Sequence, residues 1–427
     1  MTVALSDTQA RAIAAIRDWY RTRRDHQQVF RLFGYAGTGK TTITELAMEA
    51  LGLEPMTPGG LGGVIFAAFT GKACYVMARK GTPAQTIHSL IYRVSEATPE
   101  EIERVTTDLA ALRRDLPRMG PAERQFALTL IAQLEQRLQD IHEPRYLLNE
   151  QSILRDADLL VLDEVSMVGA EMAHDLLAFG KPILVIGDPG QLPPVKDTGF
   201  FIQAVPDVML TEIHRQAGDS AILRLATMAR EGLPIPHGAY DAHVWKMSRH
   251  DVGPAQMLQG GQVICGKNAT RRWLNTAMKR AAGFTADYPS GAGEKIICLK
   301  NRHDLGLVNG MFLTLTDVRQ DPRDTFAFSA AVETEDGTSI AGRQNFWRGE
   351  YADHVALDPE RSRRERQVRR GLIETTWGYA ITCHKAQGDQ YPTVVVVDDG
   401  YGHSAIDRNR WLYTAITRAE WGLVILA

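Results

Sequence analysis

Residues 34–41 read Gly34-Tyr35-Ala36-Gly37-Thr38-Gly39-Lys40-Thr41, and they lie between an apolar run at 29–33 and a stretch of helix formers at 42–50. This strand–turn–helix context fits the phosphate-binding pattern G-x-x-x-x-G-K-[ST]. Glycines let backbone N–H groups approach phosphate oxygens, and the start of a helix adds partial positive charge. We therefore predict a nucleoside triphosphate site in which Lys40 reaches the outer phosphates and Thr41 ligates Mg²⁺. The residues predicted to bind the nucleotide in this stretch are Gly34, Ala36, Gly37, Thr38, Gly39, Lys40, Thr41 and Thr42.

The chain has 427 residues, of which 44% are hydrophobic, and this length suffices for two or three domains with separate cores. A net charge of −3 gives no overall basic character, so any affinity for nucleic acid must come from local clusters of Lys and Arg. The four cysteines are widely spaced, which argues against a zinc site or a disulfide framework and favours a reducing, cytoplasmic setting. The sequence shows neither a secretory leader nor a membrane-spanning apolar run, so we expect no membrane partner.

Apolar strand-like runs alternate with helical stretches, which predicts an α/β fold with parallel sheets flanked by helices. Residues 100–140 interrupt this pattern with helical spacing and a break at 117–121, and we interpret them as an inserted helical hairpin. Residues 286–371 contain short strand-like runs separated by turn residues, which predicts a small β-barrel-like module. The predicted domains are 1–93 with 150–212, a helical insert at 94–149, 213–285 with 372–427, and a β-rich insert at 286–371.

Two adjacent carboxylates, Asp163 and Glu164, follow the apolar run 159–162. Ligands of parallel sheets collect at the carboxyl ends of strands, so these side chains are expected near the phosphate loop. We predict that Asp163 holds Mg²⁺ and that Glu164 acts as general base for the attacking water. The next apolar run ends at Gly187, and Gln191 follows it as the expected γ-phosphate sensor or water-positioning residue.

Further motifs appear in a fixed order along most of the chain. Together with the phosphate loop they resemble those of superfamily 1B helicases of the RecD-like and Dda-like kind. The segments that carry the resemblance are Leu5-Ser6-Asp7-Thr8-Gln9, Thr70-Gly71-Lys72-Ala73, Thr86-Ile87-His88-Ser89, Asp163-Glu164-Val165-Ser166-Met167, Gln191-Leu192-Pro193-Pro194, Leu210-Thr211-Glu212-Ile213-His214-Arg215-Gln216, Thr382-Cys383-His384-Lys385-Ala386-Gln387-Gly388 and Leu412-Tyr413-Thr414-Ala415-Ile416-Thr417-Arg418-Ala419.

The resemblance implies two RecA-like domains that hydrolyse ATP between them and move 5′-to-3′ on single-stranded DNA. It also implies that Arg215 and Arg418 carry positive charge to the transition state, and that Gln9 reads the adenine. The alternative for Gln9 is an ordinary polar residue of an N-terminal helix, but the preceding Ser-Asp-Thr cap sequence and the position in the family favour the adenine contact. The β-rich insert resembles the SH3-like module of this branch. The expected partners are single-stranded DNA, forked or tailed duplex and a single-strand-binding or recombination protein, and the motor is expected to be monomeric.

The same resemblance assigns strand contacts to Thr70, Lys72, His88, Thr382, His384 and Lys385. Five of them have an ordinary alternative, since Thr70 and Lys72 fit a turn, His88 a cap or core residue, and His384-Lys385 a solvated pair. The basic segment 360–370 is equally typical of a solvated helix and of a phosphate contact. Most tryptophans are expected in cores or interfaces rather than in stacking on bases.

Two other hypotheses remain open at this stage. One is an RNA helicase of the same superfamily, because gripping a phosphate backbone does not by itself distinguish the two sugars. The other is a regulatory motor subunit of a recombination or nuclease complex, in which ATP acts as a switch. The first insert reads as helical, whereas this branch often carries a β-hairpin there, so the sequence does not identify the element that splits duplex.

Overall fold

The computed structural model describes residues 5–23, 25–57, 59–95, 98–140, 145–194, 199–212, 220–319, 326–349, 351, 369 and 371–427. The chain forms two compact units, one made of Met1–Thr86 with Asp156–Ala427 and the other of Ile87–Arg155. Arg215 lies outside the described residues, as does the basic segment 360–370 apart from Arg369.

Helices and strands alternate through most of the described chain. The helices are α1 (Asp7–Asp18), α2 (Lys40–Leu51), α3 (Gly71–Arg79), α4 (Ile87–Ile91), α5 (Pro99–Asp115), α6 (Pro121–Asp140), α7 (Ala170–Ala178), α8 (Ala221–Glu231), α9 (Pro254–Gln259), α10 (Asn268–Ala281) and α11 (Ala405–Ile416). The strands are β1 (Val29–Gly34), β2 (Val64–Ala68), β3 (Ala84–Thr86), β4 (Tyr92–Ser95), β5 (Arg145–Leu148), β6 (Leu159–Asp163), β7 (Ile183–Gly187), β8 (Val208–Leu210), β9 (Gly238–Ala239), β10 (Val244–Met247), β11 (Gln262–Cys265), β12 (Lys295–Cys298), β13 (Phe312–Arg319), β14 (Ala327–Thr334), β15 (Gln344–Trp347), β16 (Thr375–Trp377), β17 (Ala380–Thr382), β18 (Tyr391–Val397) and β19 (Ala419–Leu426). Among the described residues, no helix combines the length and the apolar character needed to cross a bilayer.

The first sheet has the order β3-β2-β6-β7-β1-β8, and all its strands are parallel. Its strands β2 and β7 are buried along their whole length, as expected where helices cover both faces of a sheet. The predicted α/β fold with a parallel sheet is confirmed. Because β7 lies between β1 and β6, the loops that follow these three strands leave the same edge of the sheet side by side.

The second sheet has the order β17-β11-β18-β19-β10-β9, and only the short β9 runs antiparallel to its neighbour. The valine run at the end of β18 is buried, as the sequence predicts. Strand β10 was not predicted from the sequence. Its pattern Val-Trp-Lys-Met is interrupted by a lysine and does not form a clear apolar run. Trp245 is 39% exposed near the sheet edge.

The third sheet, here called the insert sheet, is antiparallel with the order β15-β14-β13-β12-β16. Strand β14 alternates between half-buried and buried residues, which is typical of a sheet with one face on a core. Its fifth strand, β16, pairs with β12, so the sheet extends beyond residue 371, where the sequence interpretation ended the insert. The likeness to an SH3-like module stays a prediction.

The compact unit Ile87–Arg155 is wider than the predicted insert 94–149. It contains the expected pair of helices, α5 and α6. Thr98 caps α5 by accepting a hydrogen bond of 3.2 Å from the backbone N–H of Glu101. Strands β4 and β5 form an antiparallel pair before and after the helices, and this pair was not predicted.

Gly261 shows how closely the second sheet packs. Its φ of 104° lies in the region that favours glycine, and a methyl group there would lie 2.2 Å from the carbonyl oxygen of Thr393. Gly283 has a similar φ of 92°, but no atom lies within 4 Å of a methyl group at that position.

We predict that Gly283→Ala lowers the free energy of unfolding by about 1 kcal/mol from backbone strain, whereas Gly261→Ala lowers it by about 3 kcal/mol because a clash is added. Equilibrium denaturation followed by circular dichroism measures both, and equal losses would contradict this account.

Candidate active site

The phosphate loop joins β1 to α2 in the predicted way. Gly37 and Gly39 have φ values of 78° and 82°, a left-handed conformation that glycine adopts readily, and Gly39 is the N-cap of α2. The Lys40 ammonium donates to the carbonyl oxygens of Gly34 at 2.8 Å and Tyr35 at 3.1 Å. Thr41, in the first turn of α2, is exposed, as is Thr42 next to it. The loop therefore holds the lysine charge at the start of a helix, where phosphate groups are favoured.

Gln9 lies directly beside this loop. Its side-chain carbonyl accepts a hydrogen bond of 3.0 Å from the backbone N–H of Ser6, which completes the capping box of α1. Its side-chain amide donates to the carbonyl oxygen of Thr38 at 3.1 Å, and the residue is 6% exposed. Gln9 thus supports the phosphate loop by its hydrogen bond to Thr38, and its contact with adenine stays a prediction.

Asp163 ends β6 next to the loop, and Glu164 follows it. An Asp163 carboxylate oxygen accepts a hydrogen bond of 2.8 Å from the backbone N–H of Glu164. Removal from water raises the pKa of both carboxyl groups, while the positive charge of Lys40 acts in the opposite direction. Since a cation nearby favours the ionised forms, the pair fits a divalent metal ion.

Glu164 has φ 53° and ψ 42°, and it is the single residue other than glycine with a positive φ among the described residues. This left-handed conformation costs a non-glycine residue about 1–2 kcal/mol. Strain of this kind persists where the surrounding structure fixes a side chain for a purpose. It therefore supports a functional role for the Glu164 carboxylate.

The loop after β7 brings Gln191 to the same edge. Asp188 accepts a hydrogen bond from the backbone N–H of Gly190 at 2.9 Å through its carboxylate and from that of Gln191 at 3.1 Å through its carbonyl. Gln191 is 5% exposed, and its side-chain oxygen has no hydrogen-bond partner in the part of the chain that the structure describes. Leaving a buried acceptor unsatisfied costs about 1–3 kcal/mol, so this atom is suited to a bound polar group.

Tyr413 of α11 joins the second sheet to this site, a role that sequence reasoning missed. Its hydroxyl donates to the Asp188 carboxylate at 2.5 Å and accepts from the backbone N–H of Ala36 at 2.8 Å. A methyl group on Gly190 would lie 2.9 Å from the tyrosine ring, so the small residue permits the contact. Burial and the neighbouring Asp188 charge raise the Tyr413 pKa, which keeps the hydroxyl protonated. The signal in the sequence was its place in the same motif as Arg418.

Arg418 enters from the junction of α11 and β19 and is 5% exposed. Its guanidinium donates to the carbonyl oxygens of Thr414 and Asp389, both at 3.1 Å, and to the Thr417 hydroxyl at 3.3 Å. Its positive charge opposes the effect of burial on the Glu164 pKa. The structure therefore places a fixed guanidinium of the second sheet near the carboxylate pair of the first.

Two of the predicted strand-contact residues lie at the start of α3. The Thr70 hydroxyl caps this helix by accepting a hydrogen bond of 3.1 Å from the backbone N–H of Ala73. Lys72 is 6% exposed, and its ammonium lies 2.9 Å from a carboxylate oxygen of Glu335 and 3.2 Å from one of Asp389. Without a nucleic acid, the Lys72 ammonium pairs with these two carboxylates, and its contact with a strand stays a prediction.

Three more lie at and after the end of β17 in the second sheet. Thr382 ends β17, and its carbonyl oxygen accepts from the backbone N–H of Ala386 at 3.1 Å. Burial lowers the pKa of His384 and of Lys385. The Lys385 ammonium donates to the side-chain oxygen of Asn309, which precedes β13.

His88 belongs to the compact unit Ile87–Arg155. Its ring centroid lies 5.8 Å from that of Tyr92 and 5.4 Å from that of Tyr146, and burial lowers its pKa. Tyr146 is 52% exposed. His88 is thus part of a small aromatic cluster, and its contact with a strand stays a prediction.

Two known protein families match parts of this chain. The sequence profile of the family described as an AAA domain matches residues 4–245, and that of the UvrD-like helicase C-terminal domain matches residues 378–426. The ATP-dependent RecD2 DNA helicase of Deinococcus radiodurans is 28% identical over 283 residues, which are 62% of this chain and 35% of that protein. The matched part thus spans about a third of the length of this curated relative.

Solved structures show a similar fold. Pif1 helicase from Bacteroides in complex with ADP-AlF3 and ssDNA is 18% identical with a TM-score of 0.51, covering 100% of this chain and 93% of that chain. Pif1 helicase from Candida albicans is 18% identical with a TM-score of 0.50, covering 100% of this chain and 94% of that chain. At this level of identity, the likeness concerns the fold.

Removal of the Tyr413 hydroxyl tests the connection between the sheets. Tyr413→Phe keeps the buried ring but leaves Ala36 and Asp188 without this partner, so we predict a kcat for ATP hydrolysis about tenfold lower, equivalent to one or two lost hydrogen bonds. The control Tyr240→Phe removes an exposed hydroxyl that donates to Pro236 at 2.7 Å, and it should leave kcat unchanged. Steady-state ATPase assays measure both. A Tyr413→Phe enzyme with normal kcat would show that the connection is not needed for hydrolysis.

Proposed function

The chain belongs to the AAA-domain family. On this premise we propose that it is an ATP-dependent DNA helicase of the RecD- and Pif1-like branch of superfamily 1B, moving 5′-to-3′ on single-stranded DNA. One observation carries the proposal. The phosphate loop and the Asp163–Glu164 pair of the first sheet face Arg418 of the second, and Tyr413 bonds across the same boundary. A catalytic site divided in this way makes hydrolysis depend on how the two sheets are placed.

The residues present fit a nucleotide with its metal ion. Paired carboxylates lie beside the phosphate loop, together with a buried amide oxygen that has no partner among the residues that the structure describes. Mg²⁺ held by Thr41 and Asp163 would neutralise charge on the β- and γ-phosphates. Lys40 would bind the same phosphates. Glu164 would accept a proton from the attacking water, and Gln191 would orient that water by accepting a hydrogen bond from it.

Arg418 would stabilise the negative charge that builds on the transferred phosphoryl group. Its guanidinium is already fixed by three hydrogen bonds, so little reorganisation is required when the nucleotide reacts. Arg215 would contribute a second positive charge, as the resemblance implies.

The proposed binding of a nucleic-acid strand also uses residues of both sheets. We assign backbone contacts to Thr70 and Lys72 of the first sheet and to Thr382, His384 and Lys385 of the second. A strand contact is also proposed for His88. Alternate grip and release by the two groups during ATP turnover would move the protein along one strand. Single-stranded DNA and forked or tailed duplex are the proposed partners of a monomeric motor.

Partial duplexes with a 5′ or a 3′ single-stranded tail test this function. We expect ATP-dependent strand separation of the 5′-tailed DNA and not of the 3′-tailed DNA, with steady-state ATPase stimulated by the same DNA. Lys40→Ala is the control, because it deletes the charge that faces the β- and γ-phosphates and should remove most turnover. Separation of the 3′-tailed substrate would reverse the proposed direction, and larger stimulation by matched RNA would change the substrate class.

Arg418→Ala tests the division of the site. We predict that kcat falls about a thousandfold while nucleotide affinity changes little, because an arginine that acts in the transition state contributes chiefly to hydrolysis. Arg408→Ala is the matched control, since Arg408 lies on α11 and pairs with Asp398 at 2.8 Å. Fluorescent nucleotide titration and steady-state kinetics give the two quantities, and equal losses in binding and hydrolysis would argue against the assigned role.

A further inference from the structure

The insert sheet contacts Lys72 and Tyr75 of α3 through an acidic turn. This turn is here defined as residues 334–338, Thr334-Glu335-Asp336-Gly337-Thr338. Glu335 contacts the Lys72 ammonium at 2.9 Å, and Asp336 accepts a hydrogen bond from the Tyr75 hydroxyl at 2.5 Å. Lys72 and Tyr75 are three residues apart and therefore share one face of the helix. Two adjacent acidic residues thus dock on the face that the motif assigns to the nucleic-acid strand.

The turn has a defined shape. Gly337 has a φ of 80°, and Asp336 accepts hydrogen bonds from the Thr338 backbone N–H at 3.2 Å and from the Thr334 hydroxyl. Hydrogen bonds from Thr334 and Tyr75 lower the pKa of Asp336, so it remains ionised near neutral pH. The turn therefore presents negative charge in a fixed geometry.

Positive charge is concentrated beneath the turn. The Lys295 ammonium donates to the Gln262 side chain at 2.8 Å, and burial together with the charge of Lys72 lowers the Lys295 pKa to about 8. Lys385 lies within electrostatic reach of Lys72 and of Asp389. Three lysines thus lie close to two carboxylates, Asp389 within the cluster and Glu335 from the turn, so removal of Glu335 enlarges the existing excess of positive charge.

The two carboxylates differ in how easily they leave. The Asp389 side chain is 3% exposed and also accepts a hydrogen bond from Tyr391 at 2.8 Å, whereas the Glu335 side chain is 28% exposed. When the Lys72–Glu335 pair separates, water can solvate the freed Glu335 carboxylate, whereas Asp389 would have to leave the protein interior. Glu335 is therefore the replaceable anion of this cluster. A phosphodiester oxygen matches a carboxylate oxygen in charge and in hydrogen-bond acceptance.

We propose that Glu335 occupies a phosphate-binding position at Lys72 and that an incoming single strand displaces the acidic turn to reach it. The inference rests on the proposed function. It adds a gate, by which we mean the acidic turn 334–338 that closes the phosphate-binding position at Lys72. In the strand-free protein the turn holds the insert sheet against α3, and in the strand-bound protein a backbone phosphate takes the place of Glu335.

Neutralising Glu335 tests the gate. A turn docked in about nine-tenths of the strand-free molecules weakens apparent strand affinity about tenfold, so Glu335→Gln should bind fluorescein-labelled oligothymidylate about tenfold more tightly in anisotropy titrations. The matched control is Glu333→Gln, which removes the same charge from the same hairpin, where Glu333 contacts Ser339 at 3.4 Å. We expect less than about a twofold change for this control, because Glu333 bonds to Ser339 of its own hairpin rather than to Lys72.

Hydrogen exchange of the wild-type protein gives a second readout that requires no variant. Addition of oligothymidylate should increase exchange at residues 334–338 if the strand displaces the turn. Unchanged affinity in Glu335→Gln, or continued protection of the turn in the strand-bound protein, would overturn the gate while strand-stimulated ATP hydrolysis upheld the proposed function. Absence of strand-stimulated hydrolysis in the wild-type protein would overturn both.

Discussion

Parallel pairing of β1, β7 and β6 is the constraint on which the rest of the structure depends. Parallel strands point their carboxyl ends to one edge, so segments more than a hundred residues apart in sequence become neighbours there. The glycine-rich loop, the acidic pair and the amide of Gln191 each leave a different strand at this edge. No single segment carries the site, and its geometry is as rigid as the buried strands that support it.

The second sheet meets this edge through polar contacts of high specificity. Asp389 occupies a central position in them. Its backbone carbonyl accepts from Arg418 at 3.1 Å, and its carboxylate lies 3.2 Å from Lys72. A residue assigned to phosphoryl transfer and a residue assigned to the strand are thus joined through one aspartate. Burial raises the pKa of Asp389 to about 6, which is characteristic of a carboxylate whose charge depends on its cationic partners.

Sequence patterns predicted much of this arrangement because they are local. The phosphate loop, the acidic pair and the helical spacing of 100–140 are readable from neighbouring residues alone. Strand β10 escaped prediction because its exposed Trp245 and its Lys246 mask the apolar pattern. The roles of Tyr413 and Asp389 depend on contacts with segments far away in sequence, as does the burial of Lys72 under Glu335. Only the folded chain places those partners side by side.

The backbone of Glu164 carries a consequence for how this position can vary. Glycine would adopt φ 53° without strain and would spare the fold about 1–2 kcal/mol, yet it would delete the carboxylate. Aspartate and asparagine tolerate the left-handed region better than glutamate does. Both are shorter than glutamate by one methylene group, and asparagine also lacks the negative charge. Selection for thermal robustness and selection for turnover therefore act in opposite directions at this residue, and the presence of glutamate indicates that turnover has prevailed.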